Sequence, residues 1–215
     1  AEKVYMTISL HTQNKGGHSS IPRKDNAIYD LARALKKLED YQFPISFNDT
    51  TQQYLEFAIT KLPKDDSKKL RKLLDGGENF KYLDLINENP DLNAQLRTTC
   101  VATRLSGGHA NNALPVSASA TINCRVLPQE EPQKIVDMIQ QIVGSDIEIG
   151  MVWVPEGSPP SPVTSEIMNL IGNSLKNVFP TAAIIPYMST GATDAQALRN
   201  IGIPVYGTSG IMTDP

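Results

Sequence analysis

Histidine is scarce in this chain, with only His11, His18 and His109 in 215 residues. None of the three belongs to a His-x-Asp, His-x-His or His-Glu-x-x-His spacing, so the chain alone does not read as a metal centre. Cysteine is scarcer still. Cys100 and Cys124 fall in separate strand-like segments, and neither has the close second cysteine or histidine of a zinc ribbon or redox motif, which leaves two buried free thiols as the expectation. No apolar run approaches the roughly 20 residues of a bilayer-crossing helix. No charged-then-apolar stretch of the secretory kind is present either, so no membrane is expected as a partner and the compartment stays open. With 20 basic and 23 acidic residues the net charge is -3, and no sustained Lys/Arg run is interleaved with aromatics, which speaks against nucleic acid. The densest basic stretch, Lys68 to Lys72, reads as the solvated face of a short helix.

What is present is pattern. Val4, Met6, Ile8 and Leu10 alternate with Tyr5, Thr7 and Ser9, as in a half-buried strand. A loop, Gly16-Gly17-His18-Ser19-Ser20-Ile21-Pro22, leads from that strand into a helix over 26–40, with Asp25 as the expected N-cap and Ile28, Leu31, Ala32, Leu35 and Leu38 as the apolar stripe. A polar, loosely helical stretch broken at Pro63, Gly76-Gly77 and Pro90 reads as an insertion over about 42–97. Strands follow at 98–105 and 116–126. In the second, Val116, Ala118, Ala120, Ile122, Cys124 and Val126 share one face. Pro132 opens a helix carrying Ile135, Met138, Ile139 and Ile142, Gly144 stops it, and a fourth strand spans 147–154.

The order strand, helix, strand, strand, helix, strand predicts an α+β fold: a four-stranded antiparallel sheet with two helices on one face, ferredoxin-like, its other face open. The Pro/Gly-rich run 155–162 marks a boundary, giving domains 1–155 and 156–215. In the second, a helix over 166–178, a strand near 183–187, a helix over 193–200 and a strand at 203–206 alternate as in part of an α/β domain.

Four positions carry candidate chemistry. His18 follows two glycines and precedes a helix start, a place where an imidazole stabilises a developing oxyanion or simply hydrogen-bonds its own loop. Asn112, in Gly107-Gly108-His109-Ala110-Asn111-Asn112, offers amide donors and an acceptor for a carbonyl or carboxylate, in what is otherwise a long turn. Arg125 lies on the polar strand face, either as a surface arginine or as a bidentate carboxylate clamp. Gly191 sits in a strand-to-helix loop, Thr190-Gly191-Ala192-Thr193-Asp194, with amides for an anion and Thr193 as an alternative cap. Glu130-Glu131, before Pro132, read as charges favoured at a helix N-terminus. Gly207-Thr208-Ser209-Gly210 lacks the frame of a nucleophile elbow and reads as a turn.

Taken in order, Gly17-His18-Ser19-Ser20-x-Pro22, Leu96-Arg97-Thr98-Thr99, Asn112-x-Leu114-Pro115, Asn123-x-Arg125-x-Leu127-Pro128, Ser161-Pro162, Val178-Phe179-Pro180 and Gly191-x-Thr193-Asp194-Ala195 resemble the carboxypeptidase S branch of the aminoacylase and acetylornithine deacetylase family of co-catalytic zinc metallopeptidases. The resemblance implies a parent enzyme of two domains: a catalytic domain with two zinc ions, and a lid that is also the dimerisation domain. It places 1–155 in the lid and 156–215 in the catalytic domain, with the zinc ligands and a catalytic Glu outside this chain. The implied reaction is attack of a zinc-bound water on an amide beside a free carboxylate, in a peptide or N-acyl amino acid. By the same resemblance His18 reaches across a homodimer to hold the oxyanion in the partner's site. Asn112 and Arg125 bind substrate, Arg125 at its carboxylate, and the Gly191 loop forms a pocket wall. The chain alone is then expected to be inactive, and to be a segment of a longer protein.

Two other readings compete. One is a stand-alone ferredoxin-like module that binds a small molecule or dimerises without catalysis. The other is a histidine-dependent nucleophilic hydrolase, for which Ser19 and Ser20 stand too close in sequence to His18.

Overall fold

A computed structural model describes residues 1–76 and 83–208. Gly77 and the Ser209-Gly210 half of the expected turn lie outside the described residues. In chain order the elements are β1 (Val4–Gln13), β2 (Gly17–His18), α1 (Ala27–Asp40), α2 (Asp49–Ile59), α3 (Lys64–Leu74), α4 (Leu83–Asn87), α5 (Pro90–Leu96), β3 (Thr99–Gly107), β4 (Ala113–Leu114), β5 (Ser117–Val126), α6 (Pro132–Val143), β6 (Glu148–Trp153), α7 (Ser165–Leu175) and α8 (Ala195–Asn200). They form two compact units, one of Val4–Ile45 with Arg97–Gly157, the other of Ala1–Lys3, Ser46–Leu96 and Ser158–Pro215.

In the first unit the strands pair in the order β3-β5-β1-β6, every pair antiparallel. The period-2 pattern explains which face is core. Val4, Met6, Ile8 and Leu10 of β1 and Ala118, Ala120, Ile122, Cys124 and Val126 of β5 are buried, and they share one cluster with residues of both α1 and α6. The expected sheet with two helices on one face is therefore present. β1 and β5 are central and register Val4 against Val126 through Gln13 against Ser117, so the polar sides of both strands line the open face.

Local details differ from expectation where side chains compete. The N-cap of α1 is Asn26, not Asp25, because the Asn26 side chain accepts the N–H groups of Ile28 (2.9 Å) and Tyr29 (3.3 Å) while the Asp25 carboxylate is held by Arg23. The buried stripe of α1 is accordingly Ala27, Leu31, Ala34 and Leu38, and Ile28 faces outward. Val116 precedes the strand and is half exposed. Gly144 stops α6 as expected, at φ 100°, a left-handed conformation that other residues adopt only with strain. Thr98 Oγ1 donates to Glu130 Oε2 and accepts the N–H of Leu127 at 3.0 Å, and Glu131 pairs with Lys134.

The expectation of two free thiols is corrected: Cys100 and Cys124 form a disulfide. They stand directly opposite each other on β3 and β5, with Cα atoms 4.1 Å apart. Strand register brings them together, and register is not visible in the spacing of two cysteines along a sequence.

In the second unit α2 to α5 cluster with the terminal segment, although their place in the sequence makes them an insertion within the sheet domain. Their apolar residues account for this: Leu55, Ile59, Leu70, Ile86 and Leu96 are buried in the unit that also buries Met188, and Tyr54 packs edge-on against Tyr187 at 5.6 Å. Asn48 and Thr51 form a reciprocal capping box at the start of α2. The strands expected near 183–187 and 203–206 are not formed among the described residues; what pairs there is one parallel bridge, Glu2 with Ser189. A parallel ladder needs adjacent strands, and these runs have none beside them.

Candidate functional site

The loop that carries His18 is closed at its base by Asn14. Its Oδ1 accepts the N–H of Gly16 at 3.1 Å, its Nδ2 donates to Asp25 Oδ2 at 3.2 Å, and its own N–H donates to Val116 O at 2.8 Å. Arg23 adds a two-pronged contact to Asp25, and that guanidinium holds the Asp25 carboxyl at about 2, below the ordinary carboxylate range. Gly16 is required here. It adopts φ 68°, and a Cβ would stand 2.8 Å from Val116 Cγ1.

From this base β2 pairs with β4, setting Gly17 against Leu114 and His18 against Ala113. The N–H of Ser19 donates to Asn112 O at 2.9 Å, so the His18 loop and the Asn112 turn are stitched together by backbone bonds. The sequence separates these two candidates by more than ninety residues, and the ladder makes them neighbours.

The His18 ring is itself constrained. Nδ1 accepts the backbone N–H of Ser20 at 3.2 Å and lies 2.8 Å from Ser20 Oγ. Both contacts engage Nδ1, so Ser20 orients the ring from one side. Ser20 is thus close to the ring in space despite the objection from sequence proximity. Its amide and its hydroxyl both lie against Nδ1, as in a local turn that fixes the imidazole.

Arg125 occupies the open sheet face, opposite Tyr5 on β1 and Thr99 on β3. Its guanidinium lies over the Tyr5 ring, 4.8 Å from the centroid, a stacking that guanidinium tolerates while leaving its in-plane donors available. Next to it Asn123 donates to Met6 O at 3.2 Å and Thr7 Oγ1 at 3.3 Å. The structure does not bring Arg125 to His18. Eight residues of β5 separate Arg125 from Ser117, where the strand leaves the Asn112 turn, roughly 27 Å at strand rise.

Gly191 belongs to the second unit. Its N–H donates to Ser189 Oγ at 3.2 Å, and Thr193 Oγ1 accepts the N–H of Ala195 at 3.2 Å, so Thr193 does cap the short helix α8. A cavity of about 520 Å³ lies in the same unit, lined by Ser189 and Thr193 of this loop and by apolar side chains such as Met168, Ile171 and Leu175.

Three residues that matter to this geometry went unrecognised in the sequence: Asn14, Tyr5 and Glu2. An Asn two residues before a glycine is a visible turn signal, and Asn14 was findable. The pairing of Tyr5 with Arg125 and of Glu2 with Arg199 depends on register and tertiary packing.

A sequence profile described as the peptidase dimerisation domain, of M20 peptidases, matches residues 1–150. Among curated proteins, the chain is 30% identical over 204 residues to a probable carboxypeptidase S-like 2 of Dictyostelium discoideum, covering 93% of this chain and 38% of that protein. It is 28% identical over 212 residues to the human N-fatty-acyl-amino acid synthase/hydrolase PM20D1, covering 96% of this chain and 42% of that protein. The chain therefore spans less than half the length of these relatives. Among solved structures, an M20 family metallo-carboxypeptidase from Sulfolobus solfataricus shares the fold with a TM-score of 0.59 at 18% identity, covering 91% of this chain and 54% of that one.

Proposed function

Because the chain belongs to the M20 peptidase dimerisation-domain family, we propose that its sheet unit is the lid of a dimeric amide hydrolase, and that its second unit is a portion of the catalytic domain. The substrates are peptides or N-acyl amino acids cleaved beside a free carboxylate. Relatives named as carboxypeptidase S-like and as N-fatty-acyl-amino acid synthase/hydrolase support that substrate class.

The observation that carries the reading is the contact of His18 Nδ1 with the amide and hydroxyl of Ser20, which orients the ring from one side. A neutral imidazole with its hydrogen on Nε2, held from behind by the Ser20 amide, is a pre-oriented donor for the oxyanion that forms when an amide carbonyl is attacked. Asn112, stitched beside it, supplies amide donors to the same region. Arg125 supplies a two-pronged donor for the substrate carboxylate.

The roughly 27 Å of strand between Arg125 and Ser117, at the end of β5 nearest the Asn112 turn, supports the homodimer. A scissile amide lies only a few bonds from the carboxylate beside it, so His18 and Arg125 of one chain do not serve one substrate. His18 and Asn112 act in the partner's site. Edge strand β3 exposes Val101 and Leu105, and the adjacent helix α1 exposes Ile28 and Tyr29, which gives the pairing surface. Gly107 lets β3 and α1 approach, since a Cβ there would stand 3.1 Å from Ile28 Cγ1.

Among the described residues no three His, Cys, Asp or Glu side chains converge as metal ligands. On this reading the zinc ions implied for the parent are held by residues outside this chain, and His18, Asn112 and Arg125 act on substrate and oxyanion alone.

The test is hydrolysis by the intact parent of N-acyl amino acids and of peptides with free or amidated C-termini. Free-carboxylate substrates should be cleaved, and Arg125→Ala should raise KM on these while changing little on amidated ones. An equal effect on both would make Arg125 structural, and no hydrolysis of any substrate would remove the reading.

A further inference from the structure

Glu2 stands two residues before β1, where nothing in its sequence context marks it for a role. Its side chain is nonetheless buried against Arg199 of α8, whose Nη2 donates to Oε1 at 2.6 Å, with the two side chains 7% and 6% exposed. Burying such a pair costs desolvation that its attraction only partly offsets, so stability alone is a weak reason for it.

The other partners are more informative. Glu2 Oε2 accepts from Thr193 Oγ1 at 2.7 Å, and the same Thr193 oxygen accepts the N–H of Ala195. Residues 1–3 also run beside Ser189: the Ser189 N–H donates to Ala1 O at 2.9 Å and the Lys3 N–H to Ser189 O at 3.0 Å. Arg199 also donates from Nη2 to Ser158 Oγ at 2.9 Å and from Nε to Pro159 O at 3.1 Å. The segment that carries Gly191 is thereby held at both ends. Backbone beside Glu2 fixes the entry at Ser189, and its carboxylate fixes the exit at Thr193 and the helix behind it.

Between those ends, Thr190 to Asp194 buries no large apolar side chain. A loop of that kind takes its shape from hydrogen bonds. We propose that Glu2 is a positioning residue for the substrate pocket, acting through Thr193 to hold the Gly191 loop in the shape that forms the pocket wall. This rests on the reading of that loop as a wall.

The experiment uses the full-length parent and a free-carboxylate substrate. Thr193→Val removes the hydroxyl at nearly constant shape; it should raise KM by about ten-fold, the usual scale for a lost hydrogen bond to a charged group, with kcat little changed. Thr193→Ser restores the hydroxyl and should restore KM. Glu2→Gln should raise KM too, and it should also lower the melting temperature because Arg199 loses its charge partner. Wild-type KM in Thr193→Val, or equal impairment in Thr193→Ser, would overturn the proposal. Gly191→Val separates the two levels. A Cβ at Gly191 meets only Ser189 Oγ, at 3.5 Å, so the substitution is sterically accepted. If Gly191→Val raises KM and Thr193→Val does not, the role of Glu2 falls alone. If Gly191→Val leaves KM unchanged, the loop is not a wall and both fall.

Discussion

The backbone N–H of Ser20 donates to Nδ1 of His18 at 3.2 Å. That bond engages Nδ1 and orients the ring, and on the proposed reading it leaves Nε2 to donate to the oxyanion. In the intact parent, His18→Ala should lower kcat by roughly 10²–10³, the cost of losing one oxyanion donor. Ser20→Ala keeps the amide and should change kcat little, whereas Ser20→Pro removes the N–H and should approach the His18→Ala loss. Near-normal kcat in His18→Ala would remove the oxyanion role.

Leu105 lies on edge strand β3 and is 71% exposed, beside an α1 face carrying exposed Tyr29. Leu105→Glu should shift the intact parent to monomers in sedimentation velocity. Activity should fall in step with the dimer fraction. Monomers with full activity would contradict a site shared across the dimer.

The Cys100–Cys124 disulfide closes a loop of sequence separation 24 between two strands of the four-stranded sheet. Restricting an unfolded loop of that size is worth about 3 kcal/mol. Reduction, or replacement of both cysteines by serine, should lower the melting temperature of the protein. Unchanged melting in dithiothreitol would show that the bond does not form in solution.

Much of the sheet unit was legible because its longer elements have a strong period and a clear stop. The alternation in β1 and β5 gave their core face, and Gly144 gave the end of α6. What escaped depends on contacts between distant residues. The cysteine pair needed the register of β3 on β5, and the cap of α1 moved by one residue because Arg23 and Asn14 occupy Asp25. The helices over 49–96 carry weak local signals, and their partners lie in the terminal segment. Of the candidate site, His18 and Asn112 were identifiable as residue types in glycine-rich loops. Their adjacency through the β2–β4 ladder, and their distance from Arg125, were not.

The most direct test of a lid that donates His18 across the dimer is complementation in mixed dimers. A His18→Ala parent would be co-refolded with a parent inactivated in the part of its catalytic domain outside this chain, and hydrolysis of an N-acyl amino acid measured. Random pairing gives half mixed dimers with one competent site each, so activity should return to about a quarter of wild type. No activity above that of the two inactive parents would mean that His18 serves its own chain's site or none.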